Sequence, residues 1–348
     1  MTTKKRYGPK QFKSALKLPG GTETDLCFYP WKLDTYGCGC TNNCLYCYAR
    51  SVLAFRGLWD GEKPAVANMD TVRKQLVRAF RGRGDPTVRK FVENRLPIRL
   101  GGMTDCFNST EKQYGATLRL LRLLQQHEYP TLILTKNTLL ATEEYMDAIG
   151  PTHTYPQYTI TTPFDDVSKV FEPGAEPTSE RLQAVETLAD NGFKVAVRVN
   201  PLFPKYPDGH YAKGYKTPKP LRYFDWQLID MIAEHKADTL IAGFLRLSTF
   251  NIRWIKEQTG QDLTYLFNPK RKMADQARHY SIAEKKYYYE KIWNMCKKHG
   301  VKFTICFDDD EAYETFRYMW HNPQDCCNGL DNIPEFKTTY QNIHGGTR

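Results

Sequence analysis

The segment Cys40-Thr-Asn-Asn-Cys44-Leu-Tyr-Cys47 sets three thiols within one short loop. Thiolate is the usual protein ligand of iron–sulfur clusters, and CxxxCxxC spacing offers three corners of a cubane. Only three cysteines in the tight spacing leave one iron open to an outside ligand. An open position separates a reactive metal centre from a structural one. Two other readings recruit Cys38 as a fourth ligand: a tetrahedral zinc knuckle or an electron-transfer cluster. The chain has ten cysteines, and the remaining six are Cys27, Cys106, Cys296, Cys306, Cys326 and Cys327. In a long chain with no secretory pattern these read as metal ligands or thiols more than disulfides. Cys306 with the adjacent pair Cys326-Cys327 leaves a second cluster open as a reading. A strand-end Cys306 packed in the core, with reduced Cys326 and Cys327 near the mouth of the active site, is the other. Cys296 falls on an apolar helix face with Ile292 and Met295.

The elements that must position the loop follow from hydrophobic periodicity. An extended segment over 26–36 leads into it, and a helix is expected from near Cys44. Helical spacing recurs over 68–82, 109–127, 141–149, 178–191, 224–235 and 282–299, with a short helix over 309–320. Apolar runs over 97–103, 130–136, 157–162, 193–200, 238–245 and 301–307 predict strands. Such alternation implies βαβ units on a parallel sheet with right-handed crossovers. The expected fold is α/β, a partial (β/α)6 TIM-like barrel with one extra strand. Its core covers 26–245, after a basic arm over 1–25. An α/β extension over 246–348 completes or caps it. Ligands in these folds sit at the carboxyl ends of the strands.

With 41% hydrophobic residues over 348 positions, the chain can bury a large core. No apolar run approaches the roughly 20 residues of a membrane span. Residues 1–17 are polar and basic, unlike a signal peptide. Membrane and secreted classes are set aside, and a cytoplasmic protein is expected. The 49 Lys and Arg against 39 Asp and Glu give a net charge of +10, with 13% aromatics. That balance suits a polyanionic partner and equally a basic soluble enzyme. The stretch PLFPKYPDGHYAKGYKTPKPLRY over 201–223 interleaves Lys205, Lys213, Lys216, Lys219 and Arg222 with Tyr211 and Tyr215. Cations neutralise phosphates and rings stack on bases; a solvated basic loop is the plain alternative.

With an aromatic, Tyr46, before its third cysteine, the loop resembles the radical S-adenosylmethionine (SAM) superfamily. Further segments resemble its spore photoproduct lyase branch. These are Tyr46-Cys47-Tyr48 with Arg50, Gly102-Met-Thr-Asp105, Thr135-Lys136, Glu172-Pro173, Pro177-Thr178-Ser179-Glu180-Arg181-Leu182 and Asn200-Pro201. The likeness runs from about residue 28 to 205. It implies a [4Fe–4S] cluster on Cys40, Cys44 and Cys47, with SAM on the open iron. An external electron donor of flavodoxin or ferredoxin type is implied too. By the same likeness, Gly101, Gly102 and Met103 meet the methionine amino group, where glycine lets backbone approach closely. Thr104 lies near SAM, Lys136 pairs with the methionine carboxylate, Thr159 lies near the ribose, and Tyr48 relays a hydrogen atom. Each has a bland counterpart: a solvated lysine, a strand threonine, a packing tyrosine.

One departure bears on the reaction. Photoproduct lyases carry a hydrogen-donating cysteine three residues before the aspartate of the second-strand motif, and here Gly102 stands there. Cys106 is close enough in sequence to offer a substitute thiol, or it is a buried core residue. The expected function is radical SAM chemistry on a thymine-derived base in DNA, either lesion reversal or rearrangement of a modified base. An enzyme acting on such a base must flip it out. A peptide or small-molecule substrate is the second reading. A non-catalytic nucleic-acid-binding protein with a structural metal is the third.

Overall fold

Short apolar runs bounded by turns pair side by side to make the sheet that carries the loop. The computed structural model describes residues 11–12, 16–17, 27–61, 63–203, 223–266, 280–306, 314–333, 335, 338–340 and 343. The strands are β1 (Gln11–Phe12), β2 (Leu16–Lys17), β3 (Lys32–Leu33), β4 (Tyr36–Gly37), β5 (Ala65–Ala67) and β6 (Ile98–Leu100). They continue as β7 (Thr131–Thr135), β8 (Thr154–Thr159), β9 (Ala196–Leu202), β10 (Thr239–Phe244) and β11 (Lys302–Ile305). The main sheet has the order β11-β10-β9-β8-β7-β6-β3-β2. From β3 to β11 every neighbouring pair is parallel, and β2 adds antiparallel to β3. Parallel strands in sequence order, with helices between, are what repeated right-handed crossovers produce. Among the described residues β11 does not pair back onto β3, so the barrel is partial, as expected. A small sheet, β1-β5-β4, stands beside the cysteine loop.

The longer helices are α1 (Tyr48–Phe55), α2 (Met69–Phe80), α3 (Pro86–Glu93), α4 (Ala116–Gln125) and α5 (Asp165–Phe171). After them come α6 (Thr178–Asp190), α7 (Gln227–Glu234), α8 (Thr249–Thr259) and α9 (Ile282–His299). Caps fix several starts: Asn68 accepts from Thr71 N–H, Asp85 from Thr87 and Val88, and Ser281 with Glu284 closes a capping box. The helices cover one face of the sheet, where Ile98, Leu100, Ile133, Val197, Val199 and Leu240 are buried. Side chains alternate across a strand. The opposite face, toward the lumen, carries Arg99, Tyr155, Gln157, Thr159, Arg198, Thr239 and Thr304.

The C-terminal segment closes the lumen at the starts of the strands. Asn332 donates to the hydroxyls of Tyr155 at 2.9 Å and Thr239 at 3.0 Å. Lys302 donates to Asn332 at 2.9 Å, and Thr304 to the Cys326 carbonyl at 3.3 Å.

Several boundaries differ from the sequence expectation. The helix expected near Cys44 starts at Tyr48, because the loop is held by bonds to other segments. The helix expected over 109–127 is broken: Glu111–Tyr114 ends at Gly115, whose φ of 58° ends one helix and lets the chain re-enter another as α4. The strand expected over 157–162 lies three positions earlier and runs through Pro156. Helices α3, α5 and α8 were not expected. Part of the helix expected over 309–320 lies outside the described residues.

Candidate active site

The cysteine loop follows β4 and ends at Cys47, the cap of α1. Its backbone is gripped on several sides. Cys40 N–H donates to Gly61 O at 3.3 Å, Leu45 N–H to Phe171 O at 2.9 Å, and Gly174 N–H to Asn42 O at 3.1 Å. Gly39 and Gly174 allow this fit, since a Cβ at either would collide with the carbonyl oxygen of Gly61 or Thr41. Asn251 on α8 donates to the Cys47 carbonyl at 3.1 Å. Arg50 on α1 donates to Asn43 at 2.8 Å and lies 3.8 Å from the Trp254 ring centroid.

All three loop thiols are free, with Cys40 and Cys44 buried and Cys47 half-buried. Burial pushes the Cys40 thiol up to about 12 and the Cys44 thiol well above its ordinary value. Among the described residues, the one trio of such donors within 4.8 Å is Asp325, Cys326 and Cys327. The three loop sulfurs therefore do not all lie within that distance of one another. Three free thiols on one loop whose backbone is held from several sides fit three corners of a cubane.

Strand ends meet the loop through two carboxylates. Asp34 accepts from Gly102 N–H at 2.8 Å and Met103 N–H at 3.1 Å, which fixes the turn at the end of β6. Gly101 needs glycine, with φ at 84° and the Leu134 oxygen 2.5 Å from where a Cβ would sit. Asp105 accepts from Phe107 N–H at 2.9 Å, Thr135 at 2.9 Å, Asn42 Nδ2 at 2.9 Å and Lys136 N–H at 2.7 Å. It thereby ties the ends of β6 and β7 to the loop. Thr104 is buried and donates to Gly39 O at 3.2 Å.

Lys136 is half-buried, with its ammonium 5.8 Å from the Tyr46 ring centroid. Desolvation would lower its pKa, yet Cys44, Glu172 and Asp105 hold it raised. Among the described residues no carboxylate pairs with it directly. Tyr46 is buried, and its hydroxyl donates to Glu172, which also pairs with fully buried Arg181 at 2.5 Å. Arg181 in turn donates to the Thr159 carbonyl at 2.8 Å. Burial alone would raise Glu172, but Arg181, Lys136 and Tyr46 hold it below the usual carboxylate value.

Tyr48 is 48% exposed and donates to the Gly102 carbonyl at 2.5 Å, spanning the loop and β6. Cys106 is fully buried, its thiol 3.9 Å from the Leu33 carbonyl, and burial pushes it up strongly. Cys306 directly follows β11, and Cys326 and Cys327 are buried, with Arg198 reaching Cys306 and Cys327 and Thr304 reaching the Cys326 carbonyl. Asp325 spends its oxygens on Tyr29, Cys327 N–H, Gly329 N–H and Leu330 N–H. Arg198 donates to Cys306 at 3.1 Å and Cys327 at 3.7 Å. The thiol of Cys326, then Arg198 and Arg99, pull Cys327 down to about 7 against its burial. The basic loop with Lys205, Tyr211, Lys213, Tyr215, Lys216, Lys219 and Arg222, and the 1–25 arm apart from the strand residues at 11–12 and 16–17, lie outside the described residues.

Structure thus brings together Tyr46, Tyr48, Gly101, Gly102, Met103, Thr104 and Lys136 around the three cysteines. Sequence reasoning gave no role to Asp34, Asn42, Asp105, Glu172 or Arg181. Their partners lie 31 to 126 residues away in several cases, and no local spacing signals that.

The model of the radical SAM superfamily matches residues 35–213, and the chain belongs to that family. It therefore uses a [4Fe–4S] cluster and SAM. Among solved structures, spore photoproduct lyase complexed with dinucleoside spore photoproduct shares 17% identity, with 77% of this chain and 73% of that one covered and a TM-score of 0.55. A double mutant of that lyase with bound AdoMet and the same lesion has 16% identity, coverage of 84% and 87%, and a TM-score of 0.57. Streptococcus suis SuiB bound to its precursor peptide SuiA has 10% identity, coverage of 91% and 64%, and a TM-score of 0.50. At these identities the likeness is one of fold. No curated protein matches the sequence. No described helix is long and apolar enough to cross a membrane.

Proposed function

We propose that Cys40, Cys44 and Cys47 hold the cluster, and that the enzyme performs radical chemistry on a thymine-derived base of DNA. The observation that carries the site is the convergence of three unpaired thiols, the β6 end and the Lys136 ammonium on one rigid loop. When bound, the reduced cluster and SAM together supply a 5′-deoxyadenosyl radical, chemistry that belongs to the cofactor. The chain's own residues bind and orient. Lys136 supplies positive charge for the methionine carboxylate. Asp34 holds the N–H groups of Gly102 and Met103 and so fixes the strand-end turn that meets the methionine amino group. Thr104, donating to the Gly39 carbonyl, and Thr159, whose backbone Arg181 fixes, are assigned to SAM by the motif likeness. Tyr48, hydroxyl on the Gly102 carbonyl, is placed to hold or pass a hydrogen atom. Cys106 faces Leu33 rather than the loop, so it is read as a packing thiol. The thymine assignment and the lyase- or isomerase-type reaction rest on the motif likeness and on the cation- and tyrosine-rich 201–223 stretch.

The test is anaerobic reconstitution with iron and sulfide, addition of SAM and a reductant, and quantification of 5′-deoxyadenosine with and without duplex DNA. The wild type should form it, Cys44→Ala should not, and DNA should raise the yield. A fully loaded wild type that forms none would overturn the site. Indifference to DNA would remove the base and point to a peptide or small molecule.

A further inference from the structure

Two arginines face the lumen with no carboxylate to balance them. Arg198 on β9 donates to Gln157 Oε1 at 3.0 Å, to Cys306 Sγ at 3.1 Å and to Cys327 Sγ at 3.7 Å. Arg99 on β6 donates to Cys27 Sγ at 3.7 Å. The two guanidiniums feel each other's charge, and Arg99 also lies within electrostatic reach of Tyr48 and Cys327. Neither forms an ion pair with any described carboxylate. Asp325, bonded to Tyr29, already accepts from that hydroxyl and three backbone N–H groups.

The same region has donors to spare. Arg99 Nε is buried without a partner. Gln157 is fully buried, and with Oε1 taken by Arg198 its Nε2 has no acceptor. Buried charges are normally paired, and an unmade buried hydrogen bond is costly. Neutral thiol sulfur is a weak acceptor, and even a thiolate at Cys327, whose pKa is held down to about 7, balances at most one of the two guanidinium charges. What this set lacks is an anion with several oxygens, and the planar guanidinium fork matches carboxylate and phosphate alike.

We propose that the lumen between Arg99, Gln157 and Arg198 is an oxyanion subsite for the substrate, which carries a carboxylate or phosphate into the barrel. Anchored there, the substrate extends toward Tyr48 and the cysteine loop, so the anion fixes which carbon faces the site of radical formation. The inference rests on reading the lumen as the substrate chamber of the proposed reaction, and it adds a charge requirement that reading does not contain.

The test is equilibrium binding to the reconstituted, SAM-loaded protein. The probes are thymidine, thymidine 5′-monophosphate and 5-carboxy-2′-deoxyuridine, with malonate and inorganic phosphate as bare anions. One anionic nucleoside should bind about tenfold or more tighter than thymidine, the scale of a charge-assisted contact. Tighter binding of the carboxylated nucleoside assigns the anion to the base, and tighter binding of the monophosphate assigns it to the phosphate. Arg99→Gln and Arg198→Gln should each abolish most of that preference while still loading the cluster. If Arg198→Gln fails to load, Arg198→Lys carries the test: it keeps the charge, loses the fork and should lose part of the preference. Equal binding of neutral and anionic probes, or a preference that survives loaded Arg99→Gln and Arg198 variants, overturns the subsite. Arginine-dependent binding of malonate or phosphate with no nucleoside binding would keep the subsite and remove the base.

Discussion

Both oxygens of Asp105 accept from N–H groups: Oδ1 from Phe107, and Oδ2 from the Asn42 side chain and the Lys136 backbone. A carboxylate satisfies both sides, whereas an amide has one donor end that must face an N–H. Asp105→Asn should therefore cost nearly as much as Asp105→Ala, on the order of 2–4 kcal/mol for several buried donors left unsatisfied. Thermal unfolding and iron content would check it, with both variants melting lower and loading less iron. An Asn variant as stable as the wild type would mean the loop is held elsewhere. This residue marks where sequence reasoning stops. Cys40, Cys44 and Cys47 announce themselves by type and spacing. Asp105 stood within a quoted motif, but its partnership with Asn42 spans 63 residues and exists only once the sheet has formed.

Elements β8, α5 and α6 meet at the ion pair of Glu172 and Arg181, which braces Tyr46 behind the cysteines. Glu172 is held below its unfolded pKa, so its stabilisation is complete above about 4.3 and is lost as pH falls through the folded value. Glu172→Gln leaves the Arg181 charge buried and unpaired, which should cost about 3–5 kcal/mol near neutral pH. Urea unfolding near neutral and near pH 4 tests the sign: the gap between variant and wild type should narrow on acidification. A constant gap would mean packing, not charge, is what the substitution removes. At this scale the sequence was legible where apolar periodicity was unbroken, as in α6 and α9. It failed at Gly115, where a left-handed residue splits a continuous helical pattern, and at β8, where Pro156 reads as a boundary yet lies inside a buried strand.

The whole molecule combines a parallel barrel that was readable from its strand–helix rhythm with a net charge of +10 that the rhythm does not use. Strand order along the sheet follows sequence order, which is why counting units sufficed. The polar lumen was not readable, because Arg99 and Arg198 sit singly inside apolar strands and look like ordinary alternation. The charge excess makes a separate, quantitative claim. If Lys213, Lys216 and Lys219 contact phosphates, each releases counterions on binding, and affinity for duplex falls with salt by about 0.9 log unit per contact. Replacing all three with alanine should make the slope of log K against log salt shallower by about 2.7 on duplex DNA, or about 2.1 if the bound stretch is single-stranded. The measurement is a fluorescence titration of a labelled oligonucleotide over a range of salt, on the reconstituted protein. A weaker affinity with an unchanged slope would mean the lysines shape the loop without meeting phosphate. An unchanged affinity and slope would leave the +10 charge a property of the surface and take DNA contact away from the 201–223 stretch.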